Sequence, residues 1–209
     1  ETNVNLGPTD LQGVDFALNS RLPESSFGRL RIALNATYMT KFDAATAPGT
    51  DANQLYHYAG HFLPPASAQA TLCPGASGGV CLYPRWRALT SLAWQRGPFD
   101  ASWRMRYIGR FSLGSRSPSQ DVFPAGTCYY GDYCTLHGYV IDYGATVYHD
   151  LQFGYNLEAW NTRIDVGINN VADKQPPFLW ANNSINANSD PSDFDLMGRY
   201  YWCSVSVKF

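Results

Sequence analysis

The sequence predicts an all-β protein whose strands cross a membrane as part of an antiparallel β-barrel. Apolar and polar residues alternate with a period of two over about seven segments, the pattern of strands with two different faces. The last segment, Gly198 to Phe209, is long enough for a bilayer, which needs about 9–11 residues per strand, whereas a soluble strand has about 5–6. The connections between segments are alternately short and long, as in bacterial outer-membrane barrels.

Composition excludes several classes of protein. The net charge of −2 creates no strong field that would select nucleic acid. No apolar run reaches the roughly 18 residues of a membrane helix, and barrel strands give a much weaker hydropathy signal than helices. Aromatic residues make up 15% of the chain, including 14 Tyr and 6 Trp. The chain starts at Glu1 without a signal peptide, so we expect a processed protein or a fragment.

The first two strands are predicted over Leu11 to Leu22 and Leu30 to Phe42, where apolar residues alternate with polar and charged ones. Pro23 to Gly28 supplies a short turn. The stretch of about 40 residues that follows, as far as Cys81, is rich in Pro, Gly, Ala and Ser and is predicted to be irregular. Such a loop is unusual inside a soluble domain but common on the outer side of a barrel.

The next two strands are predicted over Tyr83 to Gln95 and Phe99 to Phe111, joined by the tight turn at residues 96–98. A second long loop runs from Ser112 to about Val140. The last three strands are predicted over Tyr143 to Leu157, Trp160 to Val171 and the terminal segment, with a tight turn at 158–159 and a third long loop, Ala172 to Met197. Because the chain ends on an inward-running strand, every short turn falls on the periplasmic side and every long loop outside.

The cost of placing charge in lipid assigns the two faces. Arg104 and Arg106 share one face of their strand, and an arginine at mid-bilayer costs about 2–4 kcal/mol. The row of Ala101, Trp103 and Met105 is therefore predicted to face lipid, and the charged row to face a wet lumen. Aromatic girdles are expected at the inner rim from Trp94, Phe99, Tyr155, Trp160 and Phe209, and at the outer rim from Phe42, Trp86, Phe111 and Tyr143.

Four of the five cysteines form two close pairs within predicted loops, with no spacing that fits a zinc site. We expect disulfides between Cys73 and Cys81 and between Cys128 and Cys134, which implies passage through an oxidising compartment. Cys203 is left over on the apolar face of the last strand, where it is expected to act as a small hydrophobic residue.

The predicted outward loops carry a recognition surface. Its candidate ligand-binding residues are Tyr56, His57, Tyr58, His61, Tyr129, Tyr130, Tyr133, His137 and Trp180. Such rings can stack on sugars or on siderophore rings, and the alternative is that they pack the loops against each other.

Metal and catalytic sites are not predicted. His57 and His61 are four residues apart, a metal-binding spacing on a helix, but their loop lacks a helical pattern. Asp190, Asp193 and Asp195 are a second candidate metal site, for calcium. The spacing of these three residues does not fit an EF-hand, so a structural role is favoured. No nucleophile motif or phosphate loop is found, so neither an enzyme nor a cofactor is predicted.

The C-terminal segments resemble a known family. The terminal strand ending at Phe209 is similar to the closing strand of outer-membrane barrels, in which Tyr201, Val205, Val207 and Phe209 would be the signal read by the barrel-assembly machinery. Residues 166–178 (VGINNVADKQPPF) and 190–200 (DPSDFDLMGRY) resemble the C-terminal motifs of TonB-dependent outer-membrane receptors. The resemblance is strongest over Arg85 to Phe209 and weaker over Gly13 to Lys41.

This resemblance implies that residues 1–209 are the C-terminal part of a receptor barrel in the bacterial outer membrane, without its plug domain and N-terminal strands. The complete receptor would import a scarce nutrient, such as a siderophore or carbohydrate. Its implied partners are outer-membrane lipid, the N-terminal remainder of the barrel with its plug, TonB acting through that plug, and a small-molecule or oligosaccharide ligand. The alternatives are a passive porin or adhesin barrel and a secreted β-sandwich binding module stapled by disulfides.

The predicted strand count has a further consequence. About seven strands cannot close a single-chain bacterial barrel, which has an even number of at least eight. Unpaired backbone groups at a sheet edge cost several kcal/mol each in hydrocarbon. We therefore expect the edge strands, near Leu11 and at Phe209, to pair with strands that this sequence lacks.

Overall fold

A computed structural model describes residues 8–44, 56–63, 81–113, 142–179 and 189–208. Within these residues the regular structure is β-strand apart from one short 3-10 helix, Glu158–Trp160. The strands are β1 Thr9–Arg21, β2 Arg29–Ala44, β3 Tyr56–His57, β4 His61–Leu63, β5 Cys81–Tyr83, β6 Trp86–Arg96, β7 Phe99–Ile108, β8 Phe111–Leu113, β9 Asp142–Tyr143, β10 Thr146–Leu157, β11 Thr162–Asn169 and β12 Tyr200–Val207. No helix in this part of the chain is long and apolar enough to cross a membrane.

The seven long strands form one antiparallel sheet in the order β1-β2-β6-β7-β10-β11-β12, which we call the spanning sheet. Each pairs with its neighbour along the chain, as in an up-and-down barrel wall. The predicted all-β fold and its seven strands are confirmed. β1 and β12 are the two edges of the sheet and are not paired with each other, so the described part of the barrel is open.

The registers place the two predicted rows on opposite faces. One row, five strands wide, joins Ile32, Leu92, Trp103, Leu151 and Ile168 and forms part of the apolar face. The neighbouring row joins Arg31, Ala93, Ser102, Gln152 and Gly167 and belongs to the polar face. The charged rows thus lie together, as lumen-facing rows of a barrel do.

His149 is a polar residue that departs from this division. His149 pairs with Met105, on the apolar face. The Trp103 Nε1–H donates to His149 Nδ1 at 3.3 Å, and the two rings stack at 5.7 Å between centroids. This hydrogen bond gives the imidazole a polar partner on the apolar face.

A bulge near the outer end of β2 interrupts the alternation. Gln12 pairs with Lys41 and Gly13 pairs with Met39, so Thr40 is an extra residue on β2. Beyond a bulge the strand turns and its side chains are re-aimed.

The re-aimed strand changes one predicted girdle position. Phe42 does not join the outer girdle beside Trp86 but contacts the rings of Tyr58 and Tyr83, at 5.4 and 4.8 Å. A strict count of two from Tyr38 cannot find this, because an inserted residue shifts every later position by one.

The predicted outer loops contain structure of their own. β5, β4, β8 and β9 form a second sheet in that order, which we call the outer loop sheet. Its strands come from both of the first two long loops, so the expectation that these stretches are wholly irregular is wrong. The predicted strand Phe99 to Phe111 is also divided in the structure. β7 ends at Ile108, β8 begins at Phe111, and residues 109–110 lie between them.

The buried core lies at the outer loop sheet. Its members are Phe62, Leu82, Ile108, Phe111, Tyr143, Tyr148, Leu179 and Phe194. Phe111 and Tyr143, expected in the outer girdle, stack on each other in this core at 4.9 Å. Residues as far apart in sequence as Phe62 and Phe194, which are 132 positions apart, therefore share one hydrophobic cluster. This cluster depends on loop docking rather than on strand periodicity.

Candidate functional site

The outer end of the spanning sheet holds a short chain of charges that positions His57. The His57 Nδ1 lies 2.6 Å from the Asp43 carboxylate. Lys41 Nζ lies 3.3 Å from Asp43 and also contacts Asp10 across the β1–β2 pair. Asp43 is buried, and a buried carboxylate is stable when it is paired and hydrogen-bonded. The arrangement holds the His57 ring at the base of the loops with its side chain partly exposed.

Tyr58, the neighbouring candidate, occupies a different environment. It is fully buried, at 0% exposure, between Phe42 and Tyr83. A ring without accessible surface cannot stack on a ligand in this conformation, so the structure favours the packing role for Tyr58. His61 lies in β4, opposite Tyr83 and Ser112, and lines an open cleft at the rim.

The remaining candidates lie at or beyond the limits of the described residues. Tyr56 pairs with Ala44 through its backbone, and its side chain is outside the description, as are Tyr129, Tyr130, Tyr133, His137 and Trp180. Their ligand-binding role stays a prediction. The disulfides also stay predictions, since Cys73, Cys128, Cys134 and the side chain of Cys81 lie outside the described residues. Cys203 is a free, exposed thiol. Of the terminal assembly signal, Tyr201, Val205 and Val207 lie in β12, and Phe209 is not described.

The loop between β11 and β12 folds back onto the polar face of the spanning sheet. Asp193 forms an ion pair with Arg87 on β6. Asp195 approaches Arg106 on β7 at 3.7 Å, and the Asp195 N–H donates to the Tyr148 hydroxyl on β10 at 3.1 Å. One loop segment thus reaches three neighbouring strands and neutralises two arginines of the lumen wall.

A tight turn presents these carboxylates. The Ser192 N–H donates to Asp190 Oδ1 and the Phe194 N–H donates to the Asp190 carbonyl, both at 2.9 Å. Phe194 is buried against Phe111 of the outer loop sheet. Burial of Asp190 raises the pKa of its carboxyl above the usual range. Of the residues described, no three acidic, His or Cys side chains are grouped to hold a metal ion.

The two C-terminal motifs meet in a second hydrogen-bonded turn. The buried Asn170 side chain accepts from the Lys174 N–H at 2.8 Å and donates to the Lys174 carbonyl at 2.9 Å. Its own N–H donates to Asp150 Oδ1 at 2.9 Å. Asp173 Oδ1 accepts from the Arg199 N–H, at the start of β12. These bonds fix where the loop leaves β11 and where it returns, which explains the polar residues in both motifs.

The inner part of the polar face carries a second charge network. Arg163 donates to Asp100 through Nη1 and Nη2 at 2.8 and 2.9 Å, and to Asp165 through Nε and Nη2 at 2.8 and 2.6 Å. Gln152 adds a hydrogen bond to Asp165 at 3.2 Å. The guanidinium links β7 to β11 across β10 and pairs with both carboxylates at this level of the polar face.

Sequence reasoning placed the arginines on the polar face but missed their partners. Alternation assigns Arg87 and Arg106 to the lumen face. The spacing of Asp193 and Asp195, in contrast, does not predict which strands these two residues contact. Their acidic character in an otherwise polar loop was the available signal. The pairing itself depends on where the third long loop folds, which local patterns do not determine.

Comparison with known proteins gives two kinds of match. Residues 1–171 match the protein family described as TonB-dependent receptor-like, beta-barrel. That range excludes residues 172–178 of the first terminal motif, the whole of the second motif at 190–200, and β12, so the match rests on the strands before them. No curated protein sequence matches the chain significantly.

Two solved structures are similar in fold. The siderophore receptor PirA from Acinetobacter baumannii is 16% identical, with a TM-score of 0.50 over 93% of this chain and 21% of PirA. A mutant of the ferric enterobactin receptor PfeA from Pseudomonas aeruginosa is 15% identical, with a TM-score of 0.48 over 93% of this chain and 22% of that protein. The chain therefore spans about a fifth of the length of these receptors.

Proposed function

Because the chain belongs to the TonB-dependent receptor-like β-barrel family, we propose that it forms part of a receptor that imports a scarce nutrient across the bacterial outer membrane. The family match over residues 1–171 is the observation that carries this proposal. It favours a receptor over a passive porin or an adhesin. The secreted β-sandwich is excluded, since the described strands form a receptor-type barrel wall. The family is a receptor family, and the proposal contains no catalytic step.

The two faces of the spanning sheet support a transport role. The apolar face suits lipid, and the polar face is hydrophilic, with ion pairs at Arg163 in its inner part and at Arg87 and Arg106 farther out. A solute with hydrogen-bonding groups can pass along such a wall without leaving water for hydrocarbon. These ion pairs also limit nonspecific capture of ions in the lumen.

We further propose that the chain is the C-terminal part of the barrel and works together with N-terminal strands and a plug. The open edges at β1 and β12 and the coverage of 21% of PirA support this. TonB would then act through the plug, and the barrel-assembly machinery would read the end of β12. Intact-mass analysis of the native protein tests the extent, because a homogeneous folded species of 23.2 kDa without a companion chain would contradict it.

The ligand is proposed to bind at the outward loops, near His57 and His61 and the rings of the loops that follow. PirA is described as a siderophore receptor and PfeA as a ferric enterobactin receptor. At 16% identity this likeness concerns the fold, so a siderophore and a carbohydrate are both retained as ligand classes.

A single uptake experiment tests the loop site. In the complete receptor, replacing Tyr129, Tyr130 and Trp180 with Ala is expected to lower TonB-dependent uptake, because stacking of each ring on a ligand contributes about 0.5–1.5 kcal/mol. Uptake would be measured with labelled ferric siderophores and oligosaccharides in cells with and without TonB.

The matched control is Phe27→Ala, an exposed ring at the opposite, inner end of the sheet. Equal amounts of folded receptor in the outer membrane are required for all variants. Normal uptake in the triple variant would leave those rings with a packing role, and TonB-independent uptake would refute the receptor function itself.

A further inference from the structure

The inner end of the β1–β2 pair places two arginines directly opposite each other. Arg21 on β1 pairs with Arg31 on β2. The Leu22 N–H donates to the Leu30 carbonyl at 2.9 Å, which is the bond of a hydrogen-bonded pair. Because the two kinds of pair alternate, Arg21 and Arg31 form the closer, non-hydrogen-bonded kind, with about 4.5 Å between Cα atoms. Like charges directly opposite each other in a sheet are destabilising.

Neither of these arginines has an anionic partner in the part of the chain that the structure describes. Both residues are exposed on the polar face of the spanning sheet. Glu24 in the adjoining turn pairs with Arg29 at 3.1 Å. Asp100, which shares a row with Arg29, pairs with Arg163 at 2.8 Å. The acidic side chains of the turn and of this row are therefore engaged by other arginines.

The rest of the same strand pair compensates its polar groups. At the outer end, Asp10 on β1 lies 2.5 Å from Lys41 on β2, and Lys41 also lies 3.3 Å from Asp43. Between the two ends, the Thr37 hydroxyl donates to Asp15 Oδ1 at 2.7 Å. The inner end differs, because β2 offers an arginine to an arginine. We therefore expect the counter-charge to come from the other side of β1.

The other side of β1 is an open edge of the spanning sheet. A second copy of this segment cannot cover it. The seven strands alternate in direction, so β1 and β12 run the same way, and the edges of two copies in one membrane orientation would meet in parallel. A second β1 would have to cross the membrane in the opposite direction. Since the strands of such a barrel are antiparallel, the N-terminal part of the receptor is the source that fits.

We propose that the strand next to β1 in the complete receptor carries an Asp or Glu directly opposite Arg21, on the lumen face, and that this ion pair sets the register in which the two strands join. A slip of one residue would turn the added strand's apolar side chains away from the lipid side that Phe16 and Leu18 occupy. A slip of two residues keeps both faces but moves the carboxylate about 7 Å along the strand. The ion pair thus excludes the slip that alternation permits. The inference rests on the N-terminal part proposed above and not on which nutrient is imported.

The test uses the complete receptor with Arg21→Lys, which keeps the positive charge and supplies a primary amine. A carbodiimide joins an amine to a carboxylate as an amide only where the two are in contact, and peptide mapping by mass spectrometry identifies that carboxylate. We expect a cross-link from position 21 to an Asp or Glu in the strand that pairs with β1. The matched control is Ala17→Lys, which places the same amine farther out on the same face of β1. It should not cross-link to that carboxylate.

Urea unfolding of the receptor in lipid vesicles gives a second measurement. Arg21→Gln removes the ion pair and should lower the ratio of folded to unfolded receptor by up to about fivefold, as for a partly exposed pair. Arg31→Gln removes the repulsion and leaves the ion pair, so the urea midpoint should stay the same or rise. A rise in both variants would mean that the two arginines only repel each other, and the proposal would be overturned.

Three further outcomes would also overturn it. The first is a folded Arg21→Lys receptor without a cross-link, and the second is a cross-link to a carboxylate outside the neighbouring strand. The third is a soluble counter-ion, since a pocket of about 260 Å³ lined by Arg29 and Arg31 opens on the same face. In that case the effect of Arg21→Gln would require phosphate in the buffer. Intact mass of the sample separates the two proposals, because a receptor without an N-terminal part contradicts both, whereas a complete receptor without the cross-link contradicts this inference alone.

Discussion

The spanning sheet and the outer loop sheet are stabilised in opposite ways. In the spanning sheet neighbouring strands pair along the chain and many large apolar side chains are exposed, among them Leu18, Leu151 and Val205. At the outer loop sheet and its core, Phe62, Phe111 and Leu179 are almost completely buried. The first depends on backbone ladders and on lipid as its apolar surroundings, whereas the second has a hydrophobic core as in a soluble protein.

This difference predicts which substitutions destabilise each region. A wall without an internal core tolerates changes of size on its apolar face but not a charge there. A small core assembled from distant loops is sensitive to the loss of one ring, because the cavity has few neighbours able to close it. Four experiments test this contrast.

The largest effect is expected for Phe62→Ala, in the loop core. Phe62 contacts the rings of Phe111 and Tyr143 at 6.2 and 6.1 Å and is completely buried. Its truncation should destabilise docking of the outer loops by about 3–5 kcal/mol. Hydrogen exchange at residues 61–63 and 111–113 should rise, while the barrel keeps its heat-modifiable mobility on electrophoresis. If the barrel also fails to assemble, the two regions are not independent and the contrast is wrong.

The second effect concerns the wall itself. Leu151→Lys puts a charge on the lipid-facing side and should destabilise the folded barrel by about 2–4 kcal/mol. The neighbouring Gln152→Lys points to the lumen, where the new amine can pair with Asp165, and should be close to neutral. Urea unfolding in lipid vesicles measures both. Similar losses for the two variants would mean that the faces are assigned incorrectly.

A smaller effect is expected where the two regions touch. Asp193→Asn and Asp195→Asn remove the ion pairs to Arg87 and Arg106, which are partly exposed, so each should cost about 0.2–1 kcal/mol of loop docking. The same loss should appear in wild type at high salt, which screens exposed pairs. Exchange rates at residues 190–197 provide the measurement, and salt-independent rates in wild type would argue against an electrostatic tether.

The smallest effect is a pH dependence at Asp190. Burial raises the pKa of this carboxyl, so its contribution to loop stability is complete below the unfolded value of about 3.8 and is lost as pH rises through the raised pKa. Loop protection should therefore weaken as pH increases across that window. Asp190→Asn keeps an acceptor for the Ser192 N–H and should abolish the trend. A wild-type loop whose protection grows with pH would show the opposite sign and reject this account.

The alternating pattern of the sequence predicts the strands of the spanning sheet to within a few residues. The segments Leu11 to Leu22 and Phe99 to Phe111 become Thr9–Arg21 and Phe99–Ile108, because alternation with a period of two is a local property that sterics and lipid enforce directly. Arginine positions also sufficed to identify the lumen face, since the cost of charge in lipid is large.

The arrangement at the outer end depends on contacts that the sequence pattern does not predict. The bulge at Thr40, the core around Phe62 and the pairing of Asp193 with Arg87 join segments that no periodic pattern connects. The joining of such segments depends on which loops dock together, a balance of burial against the entropy of ordering long connections. Short-range patterns specify the wall because each strand pairs with the next one along the chain, whereas the outer end is specified by contacts between residues far apart in sequence.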